Sequence, residues 1–195
     1  MKKYELTGET KEIGGKILHR IRALIDIPEH DVKVGDLGGW IEAERNLSQE
    51  GSAWVADEAC VMDSARVTDS AWVMDTACVT GKAHVTGAAC VMDSAWVTGK
   101  ARVTDSARVM GKALVTKSSD CITIGAIGRR DDTTTFYRGT DGGIYVSCGC
   151  FSGLIDDFSA KVKAVHAGTK HEKTYLLAIE LAKAQIGTTE EENDG

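Results

Sequence analysis

The chain has 195 residues, of which 43% are hydrophobic and 27% charged, and its formal net charge is -6. This composition is typical of a folded protein with a buried core, and no apolar run approaches the roughly 20 residues of a membrane span. The Met-Lys-Lys start is followed by polar residues and not by the apolar stretch of a signal peptide, so we expect a cytoplasmic protein that does not bind membranes. The acidic balance argues against direct nucleic-acid binding, which favours a basic face.

Residues 1–50 precede a long repeat and are predicted to form an N-terminal cap on it. A strand is predicted at residues 3–6, and residues 37–41, Leu-Gly-Gly-Trp-Ile, lead the chain into the repeat. A stack of strands needs such a cap because its open end exposes unpaired backbone groups.

The repeat consists of eleven consecutive hexads between Gly51 and Thr116, each of the form (Gly/Asp)-x-Ala-x-Val-x, without insertion or deletion. A period of six does not fit the 3.6-residue turn of an α-helix, but it fits a short strand followed by a turn. Alanine and valine then point inward, and glycine or aspartate makes the corner. Three hexads close a triangular coil of 18 residues, so residues 51–121 are predicted to form a parallel β-helix.

Three stretches of the chain resemble known protein families. The repeat GSAWVADEACVMDSARVTDSAWVMDTACVTGKAHVTG resembles the left-handed β-helix of hexapeptide-repeat proteins, which include acyltransferases and non-catalytic members. The segment HRIRALIDIPEHDVKVGDLGGWIEAERNLSQEGSAWV resembles the N-terminal cap of hexapeptide-repeat proteins of phages and prophages, often described as transferases. The stretch IGRRDDTTTFYRGTDGGIYVSCGCFSGLIDDFSAKVKAVHAG resembles a small C-terminal module of phage and Firmicutes proteins. The resemblance implies a mainly β, left-handed parallel β-helix with an N-terminal cap and a small C-terminal α+β domain.

The 18-residue period predicts which outward side chains stack. The third face carries Arg66, His84 and Arg102 in one column, beside a row of threonines. Guanidinium groups at this spacing could bind phosphate or carboxylate groups, from a nucleotide or from an acidic protein surface. Pairing with acids from the flanking segments is the alternative.

A corner of the coil is predicted to stack Asp57, Asp75 and Asp93. Stacked carboxylates repel one another, so they would bind a basic partner or a cation, or face water as turn-forming residues.

The first face carries an apolar strip that includes Trp54, Trp72, Met74 and Met92, and Trp96 lies on the second face. Exposed apolar strips of this kind mark interfaces, so the strip is predicted to mediate self-association or partner binding unless the flanking segments cover it.

The sequence leaves open whether the protein binds a partner or catalyses a reaction. His84 is the one histidine of the repeat, and the hexapeptide-repeat acyltransferases use a histidine as general base. No loop interrupts the hexads to enclose a substrate, however, so His84 is a weak catalytic candidate and no cofactor is expected. The preferred hypothesis is a non-enzymatic phage or prophage protein that binds a host protein or effector complex and inhibits a bacterial defence system such as CRISPR-Cas. The alternatives are an acyltransferase and a protein that sequesters nucleotide signals on the Arg66, His84 and Arg102 face.

Residues 122–187 are predicted to form the C-terminal α+β module, and residues 188–195 a disordered tail. Strands are predicted near residues 134–137 and 143–147, and helices near 154–167 and 172–186. The six cysteines are predicted to be free thiols because Cys60, Cys78 and Cys90 share one repeat position, and no metal site is predicted.

Overall fold

The computed structural model describes residues 2–187, and the main feature of these residues is a parallel β-solenoid. Strands eighteen residues apart pair in parallel, as Trp54 with Trp72 and Val55 with Val73. The strands of the repeat are β4 Trp54–Val55, β5 Cys60–Val61, β6 Arg66–Val67, β7 Trp72–Val73, β8 Cys78–Val79, β9 His84–Val85, β10 Cys90–Val91, β11 Trp96–Val97, β12 Arg102–Val103, β13 Arg108–Val109 and β14 Leu114–Val115. The prediction of a parallel β-helix with 18-residue coils is confirmed.

The solenoid strands form the three predicted faces. The first face is β4-β7-β10-β13, the second contains β5-β8-β11-β14, and the third is β6-β9-β12. Every alanine and valine of the repeat pattern is at most 1% exposed, so these side chains form the continuous core of the rod. Burial of this apolar column is the main stabilising contribution of the repeat.

The corners explain why each hexad begins with glycine or aspartate. All eleven first positions have positive φ, between 52° and 70°. Most L-residues are strained in this left-handed region, whereas glycine is not and aspartate tolerates it. The corner geometry therefore selects these two residue types.

The N-terminal segment extends the second face. Strands β1 Tyr4–Ile13 and β2 Lys16–Ala23 form an antiparallel hairpin. Strand β3 Leu37–Ile41 pairs antiparallel with β2 and parallel with β5, so one seven-stranded sheet runs from the hairpin into the solenoid. Tyr4 and Ile21 belong to the same buried cluster as the solenoid valines. The hairpin therefore closes this end of the core, as the cap prediction requires.

Backbone carbonyls of the first coil find partners in this segment. The Lys3 ammonium donates to the carbonyl of Ala53 at 2.7 Å, and the Asn46 side-chain amide donates to that of Ala65 at 2.9 Å. Backbone N–H groups donate to three further carbonyls: Trp40 to Ala59, Glu42 to Val61, and Ser48 to Val67. Buried carbonyl groups at the start of the stack are thus satisfied by the chain itself.

The C-terminal module contains the two predicted helices and both predicted strands. Its elements are β15 Cys121–Ile127, β16 Asp132–Arg138, β17 Ile144–Cys148, β18 Phe151–Leu154, α1 Ile155–His166 and α2 Lys170–Ile186. These four strands form an antiparallel sheet in chain order. Outside the module, short 3-10 helices occur at Pro28–His30, Glu44–Asn46 and Ser118–Asp120. The predicted tail, 188–195, lies outside the described residues.

The module closes the other end of the solenoid. Tyr137 is 1% exposed and packs in the solenoid core, and the Thr135 hydroxyl accepts the backbone N–H of Arg108 at 3.0 Å. The buried Asp120 carboxylate accepts the backbone N–H and the hydroxyl of Thr116 and pairs with Arg138 at 3.1 Å. Burial opposes ionisation of Asp120, but these hydrogen bonds outweigh it and hold the pKa of the carboxyl below its usual value.

Replacement of Gly99 by alanine tests the packing at the corners. Gly99 and Gly111 have φ of 63° and 64°. A Cβ at Gly99 would lie 2.2 Å from the Thr116 carbonyl oxygen, whereas one at Gly111 would have nothing within 4 Å. Each change costs about 1 kcal/mol in backbone strain. We expect Gly99→Ala to lower the free energy of unfolding in urea by at least ~1 kcal/mol more than Gly111→Ala, and equal losses would contradict the stacking.

Replacement of Asp120 by asparagine tests the closure of the C-terminal end. Asp120→Asn leaves the Arg138 guanidinium without its carboxylate, and we expect the free energy of unfolding at pH 7 to fall by about 3 kcal/mol. Because the folded-state pKa is lowered, the carboxylate stabilises the fold above its ordinary pKa, and this contribution is lost as the pH falls through the folded-state pKa. The control is Asp156→Asn, since the Asp156 side chain is 83% exposed in its ion pair with Lys183. Similar losses for the two variants would argue against the assigned role.

Candidate functional site

The strongest of the predicted polar sites is the cationic column, defined as Arg66, His84 and Arg102 on the third face. These residues are adjacent in register on β6, β9 and β12. Arg66 and Arg102 are exposed and His84 is half-buried. Since neighbouring parallel strands lie about 4.8 Å apart, the two arginine backbones are separated by roughly 10 Å. The column presents two positive charges at a fixed pitch.

The guanidinium groups of the cationic column have no partner among the described residues. Neither the Arg66 nor the Arg102 side chain makes a hydrogen bond, an ion pair or a cation–π contact within residues 2–187. Acids of the N-terminal segment pair with other cations, as Glu42 does with Lys16 and Glu44 with Lys2. The guanidinium donors are therefore free to bind an external carboxylate or phosphate.

The threonine row beside the column is already hydrogen-bonded. Thr68 donates to the Thr86 hydroxyl at 3.0 Å, and Thr86 donates to the Asp69 carboxylate. The Thr86 hydroxyl and the Gly87 N–H lower the pKa of Asp69. The arginine guanidinium groups are thus the donors of this face that remain free. The hydroxyl and carboxylate groups beside them are already hydrogen-bonded to one another.

His84 lacks the partner that a general base needs. No carboxylate among the described residues accepts a hydrogen bond from its imidazole. The hexads on either side contain no loop that would enclose a substrate. The observed geometry gives His84 a place in the cationic column, and it provides no oriented imidazole for proton transfer.

The acidic edge, defined as Asp57, Asp75 and Asp93, forms a ladder with the backbone. The Asp57 carboxylate accepts the N–H of Asp75 at 3.3 Å, Asp75 accepts that of Asp93 at 3.0 Å, and Asp93 accepts that of Gly111 at 3.0 Å. Each carboxylate therefore bonds to the backbone of the next coil. The predicted binding of a cation or a basic partner at this edge stays a prediction. One oxygen of each group is committed to the fold.

The apolar strip is partly covered by the N-terminal segment. Trp54 is 1% exposed and Trp72 is half-buried, and the His30 ring stacks on Trp72 with centroids 4.8 Å apart. Gly38 lies against Trp54 so closely that a Cβ there would approach the indole at 2.7 Å. Trp54 is thus part of the protein core and has almost no surface to offer a partner.

The other predicted interface residues keep some exposure. Met74 and Met92 are half-buried on the first face, and Trp96 is 50% exposed on the second. Trp96 pairs in register with Cys78 and Leu114. What remains for a partner is consequently a set of separated apolar side chains on two faces.

The described residues contain no group of three or more His, Cys, Asp or Glu side chains placed to hold a metal ion. No helix in residues 2–187 is both long and apolar enough to cross a membrane.

No model of a known protein family matches the chain, and no curated protein sequence is significantly similar to it.

The structure also brings together residues that sequence patterns did not connect. Cys148, Cys150 and His166 line one cavity of the C-terminal module, together with Arg129 and Tyr175. The Cys148 thiol accepts from the Thr134 hydroxyl at 3.2 Å and donates to the Tyr175 hydroxyl at 3.7 Å. No hydrogen bond joins His166 to either thiol within the described chain, so the geometry does not form a thiol–imidazole pair.

The His30–Trp72 stack makes the cover of the first face sensitive to acid. Burial lowers the pKa of His30 below its ordinary value of 6.5, and its Nε2 atom is buried with no hydrogen-bond partner among residues 2–187. Unfolded chains therefore bind a proton at His30 before folded chains do, and stability falls as the pH drops below 6.5. We expect His30→Phe, which keeps a ring on Trp72, to lose less stability than the wild type between about pH 7.5 and 5.5. An unchanged pH dependence in urea titrations would rule out His30 as the cause.

Proposed function

We propose that this protein is a non-catalytic binding protein that contacts an acidic surface of a partner protein through its cationic column. The observation that carries the proposal is that Arg66 and Arg102 are exposed, in register and unpaired within the described chain. The side chains stand on a three-stranded parallel sheet whose central strand, β9, is hydrogen-bonded to both β6 and β12. A partner with carboxylates at a matching pitch would lose little entropy on binding such a rigid surface.

The geometry favours binding over acyl transfer. Catalysis by a histidine needs a group that orients the imidazole and a wall that excludes water, and the third face offers neither to His84. Sequestration of a nucleotide on this column is disfavoured for a related reason. Small-molecule sites bury most of the ligand surface, whereas an uninterrupted sheet face leaves one side of the ligand in water.

We further propose that the partner is a host protein or effector complex of a bacterial defence system, such as CRISPR-Cas. The support for this setting is the resemblance of the cap to phage and prophage proteins and of the C-terminal module to phage and Firmicutes proteins. The acidic edge is an alternative contact, because its stacked carboxylates resemble a row of phosphates. Because its carboxylates are engaged with the backbone of the next coil, the cationic column is the stronger candidate for the contact.

Charge reversal on two faces tests the binding surface. Arg66→Glu/Arg102→Glu reverses the cationic column, and Arg108→Glu/Lys112→Glu makes the same change at exposed positions outside it. Each tagged protein is incubated with bacterial lysate, and the retained proteins are quantified by mass spectrometry. We expect a host protein that is retained by the wild type and the control, is lost from the column variant, and dissociates as salt rises from about 0.1 to 0.5 M. Equal retention by all three proteins would refute the role of the column.

A separate assay tests the biological setting. Cells that carry a panel of defence systems are challenged with phage while they express the wild type, the column variant or the control. Under the proposal, the wild type and the control restore plaques on at least one defended strain, and the column variant does not. Failure of the wild type on every strain would remove the defence proposal for that panel and leave the binding result intact.

A further inference from the structure

The C-terminal module contains a cavity of about 490 Å³ that the cationic column does not involve. Its lining comes from three places that are distant in sequence: the turn between β15 and β16, the tight turn between β17 and β18, and the facing sides of α1 and α2. This volume is within the range of about 300–1,000 Å³ found for small-molecule sites. The fold thus builds a concave site of ligand size beside the rod.

One side of the cavity is positively charged. Arg129, Arg130 and Lys161 line it, and none of them has an ion pair with a described residue. The acid in the lining is Asp132, whose carboxylate accepts the N–H of Thr133 at 2.7 Å. In a chain with a net charge of -6, three unpaired cations around one cavity form a local site for an anion.

The other side of the cavity is aromatic. Phe158 and Tyr175 are buried and meet edge to face with centroids 5.4 Å apart, and Phe151 lies 5.1 Å from Phe158. The Lys161 ammonium lies 5.3 Å from the centre of the Phe151 ring, so the cationic and aromatic sides are continuous. Burial raises the pKa of Tyr175 to about 12, and its hydroxyl is therefore neutral at physiological pH. An apolar ring would be favoured against this surface.

We infer that this cavity binds a phosphate ester of an aromatic or heterocyclic group, of the nucleoside monophosphate class. Arg129, Arg130 and Lys161 would hold the phosphate, since guanidinium and ammonium groups form charge-assisted hydrogen bonds with it. The aromatic side chains of Phe151, Phe158 and Tyr175 would contact the ring of the ligand. This site is independent of the proposed binding function because it uses another part of the chain.

The binding experiment uses calorimetry on the full chain with five probes: AMP, UMP, phenyl phosphate, adenosine and inorganic phosphate. We expect saturable binding of at least one of the three phosphate esters below about 1 mM, and binding of adenosine and of inorganic phosphate at least roughly ten-fold weaker. The inference is overturned if none of the esters binds, or if inorganic phosphate binds as tightly as the best ester.

Two lysines on one helix provide a matched pair of variants. Lys161 lines the cavity, whereas Lys163 is exposed on the same helix and is not among the lining residues. Lys161→Gln should weaken binding of the best ester roughly ten-fold, the loss of one charge-assisted hydrogen bond, while Lys163→Gln should leave it within about two-fold. Both variants should unfold at the wild-type temperature because both side chains are exposed. Equal affinity of the two variants would show that the ester binds elsewhere.

Cys150 reports where the ligand binds. It lines the cavity and is the exposed thiol of the six, whereas the other five are at least partly buried. The best ester should slow alkylation of Cys150 by iodoacetamide in the wild type and in Lys163→Gln, and much less in Lys161→Gln at the same concentration. Binding without protection of Cys150 would place the ligand outside the cavity and contradict the inference.

Discussion

The hydrogen bonds between successive coils are the constraint on which the rest of the molecule depends. The N–H of an outward residue donates to the carbonyl of the inward residue seventeen positions later, as from Trp54 to Ala71 and from Trp96 to Ala113. Because a shift of one residue within a strand would turn the buried valines outward, these bonds fix the register of every strand in the repeat. The same constraint leaves the outward positions free, and they vary from tryptophan to arginine without disturbing the backbone.

This periodic bonding also creates the problem that the non-repeating segments solve. A stack of coils has unpaired backbone groups at both ends, and this chain satisfies them with groups of opposite charge. The Lys3 ammonium binds carbonyls at the start of the stack, and the Asp120 carboxylate binds N–H groups at its end. Burial lowers the pKa of Lys3 to about 8, whereas hydrogen bonds keep Asp120 ionised. The flanking segments therefore act first as parts of the core, which explains why Tyr4 and Tyr137 pack against the repeat.

The repeat could be predicted because each of its contacts recurs at a fixed sequence distance. The period of six predicts the strands, the 18-residue coil and the stacking of Arg66, His84 and Arg102. Cover by a flanking segment was one of the alternatives, but the residues that provide it could not be predicted. The stack of His30 on Trp72 and the fit of Gly38 against Trp54 are long-range contacts with no periodic signal. The cavity was missed for the same reason, since its lining joins positions from Arg129 to Tyr175 that only the folded module brings together.

Periodic and non-periodic parts of the chain consequently offer different kinds of recognition. A solenoid face can present charges only in rows whose pitch the backbone sets, which suits an extended protein surface and gives a small molecule little enclosure. Turns and helices can form a concave site because no stacking of coils fixes their geometry, and in the C-terminal module they bring cations and aromatic rings together around one cavity. Since Arg66 and Lys161 belong to separate structural units, charge can be changed at either one without altering the backbone that supports the other. The two surfaces can therefore be selected, and disrupted, independently.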